Sequence, residues 1–106
     1  MSGSRTITGD DHRLDNVHPG DILFEDFLIG SEIPVEEVAT GTGLEKAQLS
    51  AILSGQRSID ANADLRLARY FGISEGFFLG LQIDYDLEEV RRTNGPELDK
   101  ISKRAA

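Results

Sequence analysis

The feature that most limits what this chain can become is a glycine break, Gly41-Thr42-Gly43, set between two apolar groups. Before it stand Ile33, Val38 and Ala39; after it come Leu44, Leu49, Ile52 and Leu53. The spacing on both sides suits helices, and the glycine-rich break leaves no room for a strand. Residues 33–57, IPVEEVATGTGLEKAQLSAILSGQR, therefore read as two short helices meeting at a turn. Pro34 suits the first turn of a helix, where its missing N–H has no partner to lose. Ala39 is small enough for the two helices to cross closely, and Gly43 and Gly55 close them.

Two helices joined this way outline a DNA-reading helix-turn-helix. The second would present Lys46, Ala47, Gln48, Ser50 and Ala51, the positions left free by Leu44, Leu49, Ile52 and Leu53. Gln48 can pair bidentately with adenine, Lys46 can reach guanine or phosphate, and Ala47 can pack on a thymine methyl. Arg57, just past the helix, is a candidate phosphate anchor. The segment is similar to the helix-turn-helix of the Cro/CI-like (XRE) regulators. Their pattern runs Leu-Ala, four residues ending in Gly, an aliphatic, a capping Ser, three variable residues, then Leu-Ser-x-Ile-Leu-Asn-Gly and a basic pair. Here it stands as Val38-Ala39, Thr40 to Gly43, Leu44, Glu45, Lys46-Ala47-Gln48, Leu49-Ser50-Ala51-Ile52-Leu53-Ser54-Gly55, Gln56-Arg57. Three positions depart from it. Glu45 replaces the capping Ser, Val35 stands where many relatives carry a backbone-contacting Gln, and Gln56 replaces the first basic residue of the pair.

At 106 residues the chain is expected to be one domain, burying roughly two thirds of its unfolded surface. It has no cysteine, which excludes a disulfide framework, a thiolate zinc site and a Cys nucleophile and suits a reducing cytoplasm. The polar start MSGSRTITGDDHRLDN has no apolar core of a signal peptide, and no run approaches the ~20 apolar residues a membrane helix needs. The expected location is thus cytoplasmic, at the nucleoid when bound to DNA. The formal charge of −8 argues against generic nucleic-acid affinity. Residues 33–57, however, set Glu36, Glu37 and Glu45 against Lys46 and Arg57, a net of only −1. The acidity lies at Asp10, Asp11, Asp15, Asp21, Glu25 and Asp26 and again at Asp84, Asp86, Glu88 and Glu89. That pattern suggests a near-neutral DNA face and separate acidic faces for a basic partner.

Along the chain, residues 1–16 show no periodicity and read as a mobile arm. His18 reads as a turn residue that seats the first helix, in which Leu23, Phe24, Phe27 and Leu28 share a face. Asp60 can cap a fourth helix with Ala61, Leu65 and Ala68 on its apolar side, and Gly72 ends it. A fifth, capped by Ser74, runs to Arg91-Arg92, which suit the negative end of its dipole, and is stopped by Asn94-Gly95-Pro96. Phe77, Phe78, Leu81 and Tyr85 fall in one arc of it, and Leu79, Ile83, Leu87 and Val90 in an arc roughly opposite. A terminal helix of a small domain has one core to cover, so the second stripe is expected to meet another chain, most simply a second copy.

Three motifs sharpen the resemblance: His18-Pro19-Gly20-Asp21-Ile22-Leu23, Leu65-Arg66-Leu67-Ala68-Arg69-Tyr70-Phe71-Gly72, and Phe77-Phe78-Leu79-Gly80-Leu81-Gln82-Ile83-Asp84-Tyr85-Asp86-Leu87. They resemble the HigA (VapI) antitoxins over about residues 18–92. The resemblance implies a protein that binds a small mRNA-cleaving toxin and represses its own operon. A gene for a basic protein of about a hundred residues next door is part of the same implication. Asp21, Glu25 and Asp26, with the arm around Asp10, Asp11 and Asp15, would complement a basic toxin.

Catalytic patterns are lacking: there is no G-x-S-x-G elbow, and His12 and His18 have no H-E-x-x-H spacing. The expectation is an all-α, compact five-helix domain of the lambda-repressor-like type that is not an enzyme and uses no cofactor, metal or small-molecule substrate. It divides into the arm, a helix-turn-helix domain over 17–93 with the stripe Leu79, Ile83, Leu87 and Val90 as its dimer face, and a charged tail over 94–106. Its expected partners are a palindromic double-stranded operator, the basic toxin and a second copy, with no membrane. A stand-alone transcription regulator and a protein-binding module that no longer reads DNA remain as alternatives.

Overall fold

The structure, a computed structural model, describes residues 15–105. Every regular element among them is helical. The first helix, α1, begins as Pro19–Ile22 and continues as a π-helical stretch, Leu23–Ile29. Its start is built by three consecutive residues. The His18 Nδ1 atom accepts the Gly20 N–H at 2.9 Å, Pro19 occupies the first turn, and Gly20 lies against the end of the third helix. The π stretch explains why Phe24 is 37% exposed although the sequence places it on the core face. With i→i+5 bonding and about 4.4 residues per turn, Leu23, Phe27 and Leu28 close into a narrower arc, leaving Phe24 at its margin.

The remaining helices are α2 (Val35–Thr42), α3 (Lys46–Leu53), α4 (Ala61–Phe71) and α5 (Phe77–Asp99). α2 packs on α3 and α4, α1 on α3 and α5, and α4 on α5. At their meeting point Leu23, Val38, Leu49, Ile52, Leu67 and Phe78 are fully buried. Phe27 fills the space between Phe71 and Phe78, with ring centroids 5.0 and 5.1 Å away.

Several local expectations need correction. The buried face of α4 is Ala63, Asp64, Leu67 and Ala68, whereas Ala61 and Leu65 are exposed. The reason is Asp64, a carboxylate that is buried because it works as a cap for another helix. Its Oδ2 accepts the Gly76 N–H at 2.6 Å and its Oδ1 the Leu79 N–H at 2.9 Å. Asp64, not Ser74, therefore satisfies the start of α5; Gly76 occupies the N-cap position with φ 95°, a left-handed conformation that costs glycine little. Asp60 does cap α4, accepting the Ala63 N–H at 2.8 Å.

Helix five also does not stop at Asn94. Asn94 leaves helical geometry at φ −122°, and the helix then resumes to Asp99 with Pro96 early in the new segment, where a missing N–H is harmless. The first residues of the expected tail are thus helical. Arg91 and Arg92 lie inside the helix and pair with Glu88, Arg92 at 2.8 Å, instead of serving the helix end. Of the expected arm, residues 1–14, with Asp10, Asp11 and His12, lie outside the described residues. Asn16 is fixed to α5, donating to the Tyr85 carbonyl and to Glu89, both at 3.0 Å.

Candidate nucleic-acid interface

Two devices set the angle between α2 and α3. Gly43 ends α2 at φ 78°, a position most residues occupy only at a cost of about 1 kcal/mol. Inside the turn the Thr42 hydroxyl donates to the Val38 carbonyl at 2.7 Å and accepts the Leu44 N–H at 3.2 Å. From α4, the Arg66 guanidinium donates to the Thr42 carbonyl at 2.9 Å, clamping the turn from outside. A Cβ on Gly41 would lie 2.2 Å from the Tyr70 ring, so glycine here lets α4 close on α2. Arg66, Thr42 and Tyr70 were not singled out in the sequence as supports of this turn. Arg66 and Tyr70 sit within the α4 motif, but nothing local in the sequence says that they reach across to α2.

Leu49 and Ile52 are buried, which fixes how α3 rolls on the domain. Lys46, Ala47 and Ser50 are exposed, while Gln48 and Ala51 are half-buried. The Ala51 carbonyl accepts the N–H groups of Gln56 and Arg57 at 2.9 and 3.2 Å. That folds the following loop back over the end of the helix and leaves Arg57 exposed beside it. The loop is held further on by Gln82, buried in α5, whose Oε1 accepts the Ile59 N–H at 2.8 Å and whose amide donates to Asp86 at 2.9 Å. Glu45 stands at the N-cap of α3 without a side-chain bond to it, as its departure from Ser suggests.

The electrostatics are sparse. The Lys46 Nζ lies 2.6 Å from Glu36 on α2, with both side chains more than half exposed. The hydrogen bond from Lys46 holds the Glu36 carboxyl below its ordinary range. Solvent screens an exposed pair of this kind strongly, so Lys46 is easily released to a stronger acceptor. On α5, Ile83, Leu87 and Val90 are exposed by 50, 48 and 44%, and Leu79 is half-buried. Asp21, Glu25 and Asp26 are all exposed on α1.

No family model matches the chain. The chain is 31% identical over 83 residues to virulence-associated protein I of Dichelobacter nodosus, which covers 78% of this chain and 77% of the relative. A HigA-family addiction-module antidote protein of Coxiella burnetii superposes with a TM-score of 0.79 at 32% identity, over 87% of this chain and all of the other. The Pseudomonas aeruginosa antitoxin HigA, in a structure with the higBA promoter, superposes at 0.80 with 30% identity, over 86% of this chain and all of the other. Identity, coverage and superposition together place this chain in the HigA family of addiction-module antidote proteins.

Proposed function

We propose that the chain is the antitoxin of a toxin-antitoxin module: it binds and neutralises a small basic mRNA-cleaving toxin and, as a homodimer on a palindromic operator, represses its own operon. The observation that carries the DNA half is the roll of α3. Burial of Leu49 and Ile52 turns Lys46, Ala47 and Ser50 outward beside Arg57, on a domain that superposes at 0.80 on a relative solved with its promoter. In this reading Gln48 reads a base edge, Lys46 reaches guanine or phosphate, Ala47, Ser50 and Ala51 line the contact, and Arg57 anchors a phosphate. The half-burial of Gln48 and Ala51 leaves Gln48 fewer rotamers to lose on binding.

Dimerisation is assigned to Leu79, Ile83, Leu87 and Val90, so that two recognition helices about 34 Å apart on a palindrome share one binding event. Asp21, Glu25 and Asp26 form the acidic approach for the toxin. Binding is then the whole of its activity, in the cytoplasm and at the nucleoid, with no catalytic step and no cofactor. Gel shifts on the operon's promoter test the DNA half. Gln48→Ala should relax the sequence preference, with discrimination at one base pair falling by about 1–3 kcal/mol, and Arg57→Ala should weaken all sequences alike. Equal binding by the wild type and both variants refutes the assignment.

A further inference from the structure

Three anomalies meet at the corner between α1 and α2. The first is the π-helical stretch Leu23–Ile29, a geometry rare in proteins and frequent at functional sites. The second is Glu32. The corner is closed by bonds from Ile33 N–H to the Leu28 carbonyl at 2.8 Å and from Glu32 N–H to the Ile29 carbonyl at 3.0 Å. That is the paired bonding in which glycine ordinarily takes the left-handed position, yet here Glu32 holds it at φ 57°. The third is an open groove of about 450 Å³ lined by Phe24, Leu28, Ile29, Glu32, Ile33 and Pro34, with Val35 at its end. Ile29 is 52% exposed in it. Two large aliphatic or aromatic side chains from elsewhere would fit a space of that size.

The charge around the groove is of one sign. Among the described residues Glu32 is the one charged residue that lines it, and Glu25 and Asp26, both exposed, follow Phe24 in sequence on α1. Glycine would hold this αL position without the strain that a glutamate bears, so a carboxylate lines the groove against the preference of its own backbone. We infer that this groove is the docking site for a segment of the partner protein that carries a large apolar side chain flanked by Lys or Arg. The apolar residue enters between Phe24, Ile29 and Ile33 while Glu32, Glu25 and Asp26 take up the flanking cations. This rests on the antitoxin reading and moves the centre of its toxin surface from the acidic residues of α1 to the α1–α2 corner. The acids then steer the encounter, and the apolar contact holds the complex.

The test uses the full-length chain and, as probe, the purified basic protein encoded by the adjoining reading frame. Affinity is measured by calorimetry beside the thermal midpoint of each variant. Ile29→Asp and Phe24→Asp should weaken binding by about 30-fold or more, as a charge in a desolvated anchor pocket requires. Leu65→Asp, an exposed apolar position on α4, should leave binding unchanged. Glu32→Gly separates docking from folding, because it should raise the midpoint through relief of the αL strain while weakening the complex about fivefold. Groove variants that bind like the wild type overturn the inference and leave the antitoxin reading standing. A wild-type chain that does not bind the probe overturns both. If the groove variants change the oligomeric state instead, the occupant is another copy of this chain, such as the exposed segment around Ile101 with Lys100, Lys103 and Arg104, and the inference falls.

Discussion

The contact between Gly20 and α3 makes a sharp prediction. A Cβ built on Gly20 lies 1.8 Å from the Ile52 carbonyl oxygen and 2.9 Å from its carbon, inside the 3.0 Å that real Cβ contacts keep. The obstruction is backbone, so no rotamer change relieves it, and α1 must move away from α3 by more than an ångström. Leu23, Leu49 and Ile52, fully buried around this contact, lose packing as it moves. Overpacking of this kind costs about 1–3 kcal/mol, with the upper end fitting a rigid carbonyl. Against it stands the better helix propensity of alanine, about 0.5–1 kcal/mol. The clash wins by about 2 kcal/mol, which in a domain of this size lowers the thermal midpoint by roughly 10 °C or somewhat more.

Thermal unfolding followed by far-UV circular dichroism measures this directly, with Gly30→Ala as the control. Gly30 has helical φ −58°, and its added Cβ would meet only the Glu25 carbonyl at an ordinary 3.5 Å, so the propensity gain should appear alone as a small rise. If Gly20→Ala unfolds within about 2 °C of the wild type while Gly30→Ala behaves as stated, the α1–α3 contact is not what requires glycine.

Other outcomes follow from the same packing. Asp64→Asn keeps the volume but replaces one acceptor oxygen by an amide, so one of the N–H groups of Gly76 and Leu79 loses its partner; chemical denaturation should show a loss of about 2 kcal/mol, and Asp64→Ala a larger one. An Ile83→Asp, Leu87→Asp chain should sediment as a folded monomer without operator binding, since both residues are exposed on α5, whereas a surviving dimer removes the stripe from the interface. Burial holds the His18 imidazole below its ordinary value of 6.5, against the pull of Asp21 and Asp86. The unfolded chain therefore takes up that proton first. The stabilising contribution of His18 should be complete above about pH 6.5 and lost as pH falls from there toward the lowered native value. In His18→Asn, stability curves across that range should lose this component.

Much of the fold was legible because its signals are local. The apolar spacing around Gly41-Thr42-Gly43 depends only on neighbours in sequence, and so do the Asp60 cap and the glycine that ends α4. The motif His18-Pro19-Gly20 was visible as a family mark, and the structure supplies its cause: a side-chain cap, a proline in the first turn, and a close approach to Ile52. What could not be read is long-range. Asp64 counts as polar in any periodicity, so spacing alone puts the apolar face of α4 around Leu65, whereas the helix turns the carboxylate inward to a helix start 12 residues away. The π-helical stretch has no residue signature, so α-helical spacing alone puts Phe24 inward. Of the candidate DNA contacts, exposure at Lys46, Ala47 and Ser50 follows from Leu49 and Ile52 being apolar, but the Glu36 partner of Lys46 needed the angle between α2 and α3.

That partner bears on how the operator is held. If each subunit brings only Lys46 and Arg57 to the phosphates, a dimer neutralises about four, and log K should fall against log salt with a slope of about −3 to −4 at −0.9 per phosphate. Between 50 and 200 mM salt this is a loss of about 150-fold, less than the 10³–10⁵ of proteins that make six to ten phosphate contacts. Specificity then rests on base contacts by Gln48 and Ala47, which salt does not screen. Lys46 must leave Glu36 in each subunit to reach the DNA, so Glu36→Gln should tighten operator binding modestly while leaving the slope unchanged. Filter binding of both chains across a salt series gives slope and affinity together. A wild-type slope steeper than about −6 would mean that other cations, such as Arg66 and Arg69 on α4, lie on the DNA, and the interface would have to be redrawn around that helix.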